Sequence, residues 1–537
     1  MRYGFVIDHS KCIGCHACTV ACKAENDVPL GEFRTWVKYI ERGTFPDTRR
    51  FFSVLRCNHC DNAPCVRICP VTALWRREDG IVDFDTDICI GCKACMQACP
   101  YDALHINPAT NSAEKCHFCA HRVEQNLQPA CVIVCPEQAI IAGDLDNPNT
   151  HISQLISREQ VRVRKPEQGT RPKVYYIEAD EASLTPSAAY DSGAYLWGSN
   201  RNGPDPIELK KDADRKARTV YDVAHDRPWG WKVSAYLWTK SISAGVFIAL
   251  IIGFFLSPPV SSRYFNYPEF AQASNFASLF SAPERYHVYN PAVGSFLLLI
   301  PMLALIFLGI TGILLIADLK HPKRFLRILL RPQWRSWLAI GSFIIMGYGL
   351  FATLFLLTVL FGWQIAAARL LWPVVGLAIM TAIYTAFLFG QAEGRDLWQS
   401  PLMAPHLLVQ AIIAGSAVLL LPAIAINGIE NPLAVGLGRT LMAGLILNLF
   451  IIVFGELITM HGTADAERAK KLITSGPFKD WFWWGVIVFG NVFALSLTII
   501  GNGTFAPALI LGSIASLIGL LIFEHIWVVA GQSVPLS

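Results

Sequence analysis

Sixteen cysteines fall between Cys12 and Cys135, and none follows. They form four sets of four: Cys12, Cys15, Cys18 and Cys22; Cys57, Cys60, Cys65 and Cys69; Cys89, Cys92, Cys95 and Cys99; Cys116, Cys119, Cys131 and Cys135. The first and third sets share the spacing C-x2-C-x2-C-x3-C. In that run three thiolates hold one [4Fe-4S] cubane and the fourth reaches a neighbouring cluster. Four sets predict four [4Fe-4S] clusters and leave no thiol over.

Other uses of cysteine fit less well. A disulfide framework suits a small secreted domain, but no export signal is expected here and the spacings are tight and repeated. Paired C-x2-C units also bind zinc, and the second and fourth sets alone would pass for such sites. The first and third crowd too many sulfurs into one loop for that. Cys12-Ile13-Gly14-Cys15-His16 matches a haem-attachment pattern, yet that use would orphan Cys18 and Cys22. Its sister copy places Lys93 where the histidine would stand.

The cysteine region is an internal duplication. Residues 11–22 (KCIGCHACTVAC) resemble 88–99 (ICIGCKACMQAC), and 63–74 (APCVRICPVTAL) resemble 129–140 (PACVIVCPEQAI). Two ferredoxin-like halves in tandem are expected, an α+β domain over residues 1–177. A strand at the N-terminus runs into the first set, a comparable one at 80–87 precedes the third, and 169–177 (GTRPKVYYI) closes the domain. Residues 178–228 are polar and turn-rich and read as a surface linker.

Composition separates this region from the rest. The chain is 53% hydrophobic and 16% charged, far from a soluble average, because residues 229–537 consist of long apolar runs. Eight spans are expected, at 232–256, 291–317, 337–362, 367–390, 402–424, 433–460, 481–501 and 505–530. The second half is therefore an all-α bundle of eight transmembrane helices. Its loops on the cysteine side (318–336, 391–401 and 461–480) hold eleven Lys and Arg. The opposite side has only Arg263, Arg285, Arg369 and Arg439. Positive-inside bias then places the iron–sulfur domain on the cytoplasmic face of the inner membrane. A net charge of +4 is too small to suggest nucleic acid, and no phosphate-binding glycine loop is present.

Charged groups at helix ends gather on that same side. Tyr236 and Lys240 lie in the first helix, Asp318 and Arg324 after the second, Glu393 after the fourth, and His406 opens the fifth. Such a group suits a quinone, with donors for its carbonyls and groups to move two protons. The blander alternative is that Lys240 snorkels and the loop charges set topology. Glu456, His461, Glu524 and His525, at the ends of helices six and eight, either line a proton path or pair with each other. No haem is expected in the bilayer, because only His406, His461 and His525 lie near helices, all at ends.

Both halves resemble known families. All four cysteine sets of residues 1–177 match the electron-transfer subunits of molybdopterin oxidoreductases, the dimethyl sulfoxide reductase, polysulfide reductase and formate dehydrogenase group. The resemblance implies nested pairing of the sets. Cys12, Cys15, Cys18 and Cys135 would hold one cluster, and Cys22, Cys116, Cys119 and Cys131 its neighbour. Cys57, Cys60, Cys65 and Cys99 would hold a third, and Cys69, Cys89, Cys92 and Cys95 the fourth. The duplication alone equally permits first-with-second pairing. From residue 229 on, Trp229-Gly230-Trp231, Tyr236–Gly245 (YLWTKSISAG), Asp318-Leu319-x2-Pro322-x-Arg324-Phe325, Gly341-Ser342 and Glu393–Pro401 (EGRDLWQSP) resemble the eight-helix quinone-reactive anchors of polysulfide reductase. That resemblance places the quinone at the ends of the first four helices, carries over Asp318 and Arg324, and leaves the role of Lys240 open.

Together these readings imply the electron-transfer and anchor subunit of a quinone-linked oxidoreductase. Its partners would be a catalytic chain with molybdenum or tungsten pterin and the membrane pool of menaquinone or ubiquinone. The leading direction is oxidation of a cytoplasmic donor, formate or sulfite. A quinol-oxidising assembly resembling alternative complex III is the alternative, and an ion transporter with regulatory clusters a third. The sequence has no inverted repeat to favour the transporter.

Overall fold

The protein is described from a computed structural model, covering residues 1–43, 46–185, 189–191, 217–257, 291–459 and 462–537. His461, Arg263 and Arg285 of the sequence reading lie outside these residues.

Apolar alternation in the N-terminal strand β1 (Tyr3–Asp8) buries Phe5 and Ile7 against Val174 and Tyr176. β1 sits mid-sheet, antiparallel to β8 (Ile140–Asp144) and parallel to β10 (Val174–Ile177), with β9 (Val161–Arg162) at the edge. The expected closing strand is β10. A second sheet has the order β11-β12-β2-β3, with β2 at Thr35–Arg42, β3 at Arg49–Arg56, β11 at Tyr190–Asp191 and β12 at Ala217–Tyr221. The expected strand at 80–87 is β5 (Val82–Phe84), in a hairpin with β4 (Leu74–Arg76). β6 (Leu104–Ile106) pairs likewise with β7 (Ala113–Lys115). The stretch 178–228 thus does more than connect, since β11 and β12 extend the second sheet. Beyond β12, His225 lies 2.8 Å from Asp102 and 3.5 Å from Asp222, and Lys38 lies 3.2 Å from Asp222. Burial alone would lower the His225 pKa, but the two carboxylates raise it to about 10. A charged cluster therefore fastens the polypeptide just before it enters the membrane half.

The duplication is visible in the backbone. Gly14 and His16 in the first cysteine loop, and Gly91 and Lys93 in the third, all take positive φ. The loop CIGC[HK]AC folds back on itself twice in the same way, and each copy then opens a short helix.

Among the described residues eight helices are long and apolar enough to cross a membrane, matching the eight expected: Trp231–Phe255, Phe296–Asp318, Trp337–Leu360, Ile365–Gly390, Met403–Ile426, Pro432–Ile458, Trp481–Gly501 and Ala506–Gly531. The first is the axis of the bundle, 83% buried over its apolar window where the second and third are 28% buried. Small residues allow this close packing. A Cβ on Gly415 would land on the Gly245 backbone, joining helices one and five, and Gly436 meets Gly253 the same way between helices six and one. Gly490 and Gly519 do so between helices seven and eight. Helix six ends (Ile451–Ile458) and helix seven begins (Trp481–Phe493) with the wider π winding. Such winding often accompanies functional sites.

Candidate functional site

The fold gathers cysteines distant in sequence. Cys12, Cys15, Cys18 and Cys135 line one cavity, Cys22, Cys116, Cys119 and Cys131 a second, and Cys69, Cys89, Cys92 and Cys95 a third. Cys57, Cys60, Cys65 and Cys99 form the fourth group, interacting electrostatically with one another. Backbone N–H groups point at the sulfurs, an arrangement that stabilises thiolate ligands and tunes the potential of a cluster. Ala73 N donates to Cys69 Sγ at 3.2 Å, Ala139 N to Cys135 Sγ at 3.3 Å, and Gly91 N and Ala113 N to Cys89 Sγ at 3.4 Å. Four thiols around each space, with donors aimed at the sulfurs, suit a [4Fe-4S] cube.

The four groups succeed one another. Cys18 lies within electrostatic range of Cys131, Cys116 of Cys57, and Cys95 of Cys65. The Cys12 group stands at one end, where Cys15 is exposed. The Cys69 group stands at the other, against the membrane half.

That contact is where Asp318, Arg324 and Glu393 are found. Asp318 pairs with Lys93 at 2.8 Å, and Arg324 donates to the carbonyls of Thr86 at 2.7 Å and Cys89 at 2.8 Å. Glu393 pairs with Arg67 at 2.5 Å; burial pushes its carboxyl above the usual range and Arg67 pulls it back. Gly91 lies so close to Lys320 that a Cβ would come within 2.5 Å of it, and one on Gly394 would meet Cys99 O at 2.6 Å. Ser336 Oγ donates to Ile68 O, Trp229 stacks on Trp398 with ring centroids 5.4 Å apart, and Arg395 Nε donates to Gln97 Oε1 at 2.8 Å. The segment after helix eight joins the same seam. Gln532 accepts from Gln97, and the carbonyls of Val534 and Leu536 accept from Arg395 and Arg164.

Tyr236 and Lys240 occupy a different place, deep in the bundle. Lys240 is fully buried, donates to Ala382 O at 3.0 Å and to the Thr385 hydroxyl, and lies 5.1 Å over the Tyr384 ring. Gly341 makes room for that ring. Tyr236 lies within electrostatic range of Tyr384, Asp318 and Glu524. Glu524, 3% exposed, holds Ser241 Oγ at 3.5 Å with one carboxylate oxygen, and its other oxygen has no partner. His406 belongs to a third group. Its Nε2 meets Asn448 Oδ1 at 3.0 Å and Gln410 at 3.3 Å, and Asn448 donates to Asn491 at 2.8 Å. The six residues gathered by the sequence reading are thus divided among the seam, the first-to-fourth-helix site and a polar track through helices five to seven. Gln410, Asn448 and Asn491 were not singled out in the sequence; lone amides in apolar runs were the available signal.

Residues 48–145 match a 4Fe-4S dicluster domain, and residues 219–535 match the family described as polysulphide reductase, NrfD. The cysteine domain is 47% identical to a tetrathionate reductase subunit of Salmonella typhimurium, over 34% of this chain and 76% of that protein. It is 37% identical to the arsenate respiratory reductase iron-sulfur subunit of a Shewanella species (33% and 97%) and 38% identical to a polysulfide reductase chain of Wolinella succinogenes (33% and 94%). The protein carries [4Fe-4S] clusters on a multi-pass membrane bundle and belongs to the NrfD polysulphide reductase family, with an iron–sulfur subunit of the reductase type fused ahead of it.

Proposed function

We propose that this chain carries electrons between a separate molybdopterin catalytic subunit and membrane quinone. The observation that carries the reading is the single file of four thiol groups, from exposed Cys15 to the seam against the first helix. Clusters in those groups would pass electrons one at a time. The catalytic chain would dock around Cys15, where Ile13, Val20 and Ile133 are 55%, 64% and 60% exposed. Quinone would take the opposite end, near Tyr236, Lys240 and Tyr384. Lys240 would donate to a quinone carbonyl, and Glu524, across Ser241, would exchange the protons. One quinone, two electrons and two protons give one quinol. Asp318, Arg324 and Glu393 would hold the last cluster group against this site. Positive-inside bias supports the cytoplasmic face of the inner membrane.

The file of thiols serves either direction. Loop charge supports a cytoplasmic donor such as formate or sulfite reducing quinone. The reductase names of the relatives favour the reverse, from quinol to an acceptor on the catalytic chain.

Metal analysis of the complex, captured by a tag on this chain from native membranes, tests the partner. About one molybdenum or tungsten per chain is expected alongside about sixteen iron atoms from the four clusters. Iron without either metal, accompanied by haem c, would replace this reading with a quinol-to-cytochrome assembly.

A further inference from the structure

Arg56 ends β3, immediately ahead of Cys57, and is 1% exposed. Its Nη1 donates to Cys131 Sγ at 3.2 Å, and its guanidinium carbon lies 4.5 Å from the Phe5 ring centroid. Nε and Nη2 are buried without a partner, and among the described residues no carboxylate pairs with it. It lines the cavity of Cys22, Cys116, Cys119 and Cys131.

A buried guanidinium demands an anion, because the attraction of one aromatic face does not repay the loss of its water. Other cations at the thiol cavities have one. Arg34, in the same cavity, pairs with Glu114 at 2.8 Å, and Lys93, in the membrane-side cavity, pairs with Asp318. The cavity of Cys12 and Cys135 is lined by no Lys or Arg. Among the described Lys and Arg lining these three cavities, Arg56 alone has no carboxylate partner. Lys115, buried beside Cys116, also lacks one, but its ammonium is taken up by the carbonyls of Val82 and Cys116.

We propose that Arg56 is the counter-cation of the cluster held by Cys22, Cys116, Cys119 and Cys131, and that it raises the reduction potential of this cluster. The inference rests on the reading that these four thiols hold a [4Fe-4S] cluster. Each cube with four thiolates is anionic, and reduction adds one more negative charge. A fixed positive charge beside it, in a medium that screens poorly, favours the reduced form. Electrons would then rest one step inward from the exposed end, where a docked catalytic chain can draw on them or refill them.

The test is a redox titration followed by electron paramagnetic resonance on the purified holo-chain, with iron analysis alongside, for wild type, Arg56→Gln and Arg56→Lys. The expected result is a lower midpoint in R56Q, largest for one cluster and smaller for the neighbour that Cys18 would ligate, largely restored in R56K, with full iron in all three. Loss of one cluster's iron in R56Q but not in R56K would show the same need for charge at assembly. Unchanged midpoints at full iron, or equal effects of both substitutions, would overturn the proposal. A wild type without four clusters would instead overturn the reading beneath it.

Discussion

Cys92→Ser is expected to abolish quinone-dependent turnover while leaving electron entry from the catalytic chain intact. Cys92 lies in the thiol group nearest the membrane, and its carbonyl accepts from Trp229 Nε1 at 3.4 Å, at the mouth of the first helix. Serine oxygen is a poor ligand where iron–sulfur chemistry needs a soft thiolate. The other three groups share no ligand with this one, so iron should fall by no more than about four atoms of about sixteen. Substrate of the catalytic chain should still bleach the remaining clusters. Turnover with a quinone analogue should drop to background. Unimpaired turnover with the lost iron confirmed would place the quinone exit elsewhere along the file of clusters.

Lys240→Met is expected to lower quinone turnover by about 100-fold, the usual cost of removing one preorganised donor from a site that stabilises developing charge. Methionine keeps the length and apolar character of the stem, so helix packing should survive. Lys240 lies 5.1 Å over Tyr384, on the helix that faces it, and makes no ion pair within the described residues. Its nitrogen, held only by Ala382 O and the Thr385 hydroxyl, can thus turn an N–H to a carbonyl oxygen gaining electron density. Iron content and cluster reduction from the catalytic side should match wild type. Unchanged turnover in K240M would assign Lys240 to packing alone.

Much of this architecture was legible because its signals are local. Cysteine spacing needs only a few residues of context, and the bilayer sets the length of a spanning helix, so all eight spans were found within a few residues of their bounds. Nested grouping of the thiols was not legible from spacing, since the duplication equally allowed another pairing; β1, β8 and β10 bring the ends of the cysteine region together. The polar groups were visible, but their partners were not. Asp318 meets Lys93, and Glu393 meets Arg67, across more than two hundred residues. Loop charges that read as topology signals also tie two domains together, as Arg324 does with the Thr86 and Cys89 carbonyls. His406 opens its helix on the expected side, but its face of helix five turns it to Asn448 rather than to Lys240. Arg56 carried no signal at all, because an arginine at a strand end is ordinarily solvated.

On the proposed path, electrons cross the seam between the membrane half and the last thiol group. The direct measurement is visible and paramagnetic resonance spectroscopy of the purified, iron-loaded protein, without its catalytic partner, mixed anaerobically with a soluble quinol analogue. Partial bleaching of the clusters at a rate that Lys240→Met slows is the predicted result. Clusters that dithionite reduces fully but quinol leaves untouched at every ratio of quinol to quinone, and that quinone fails to reoxidise, would contradict it.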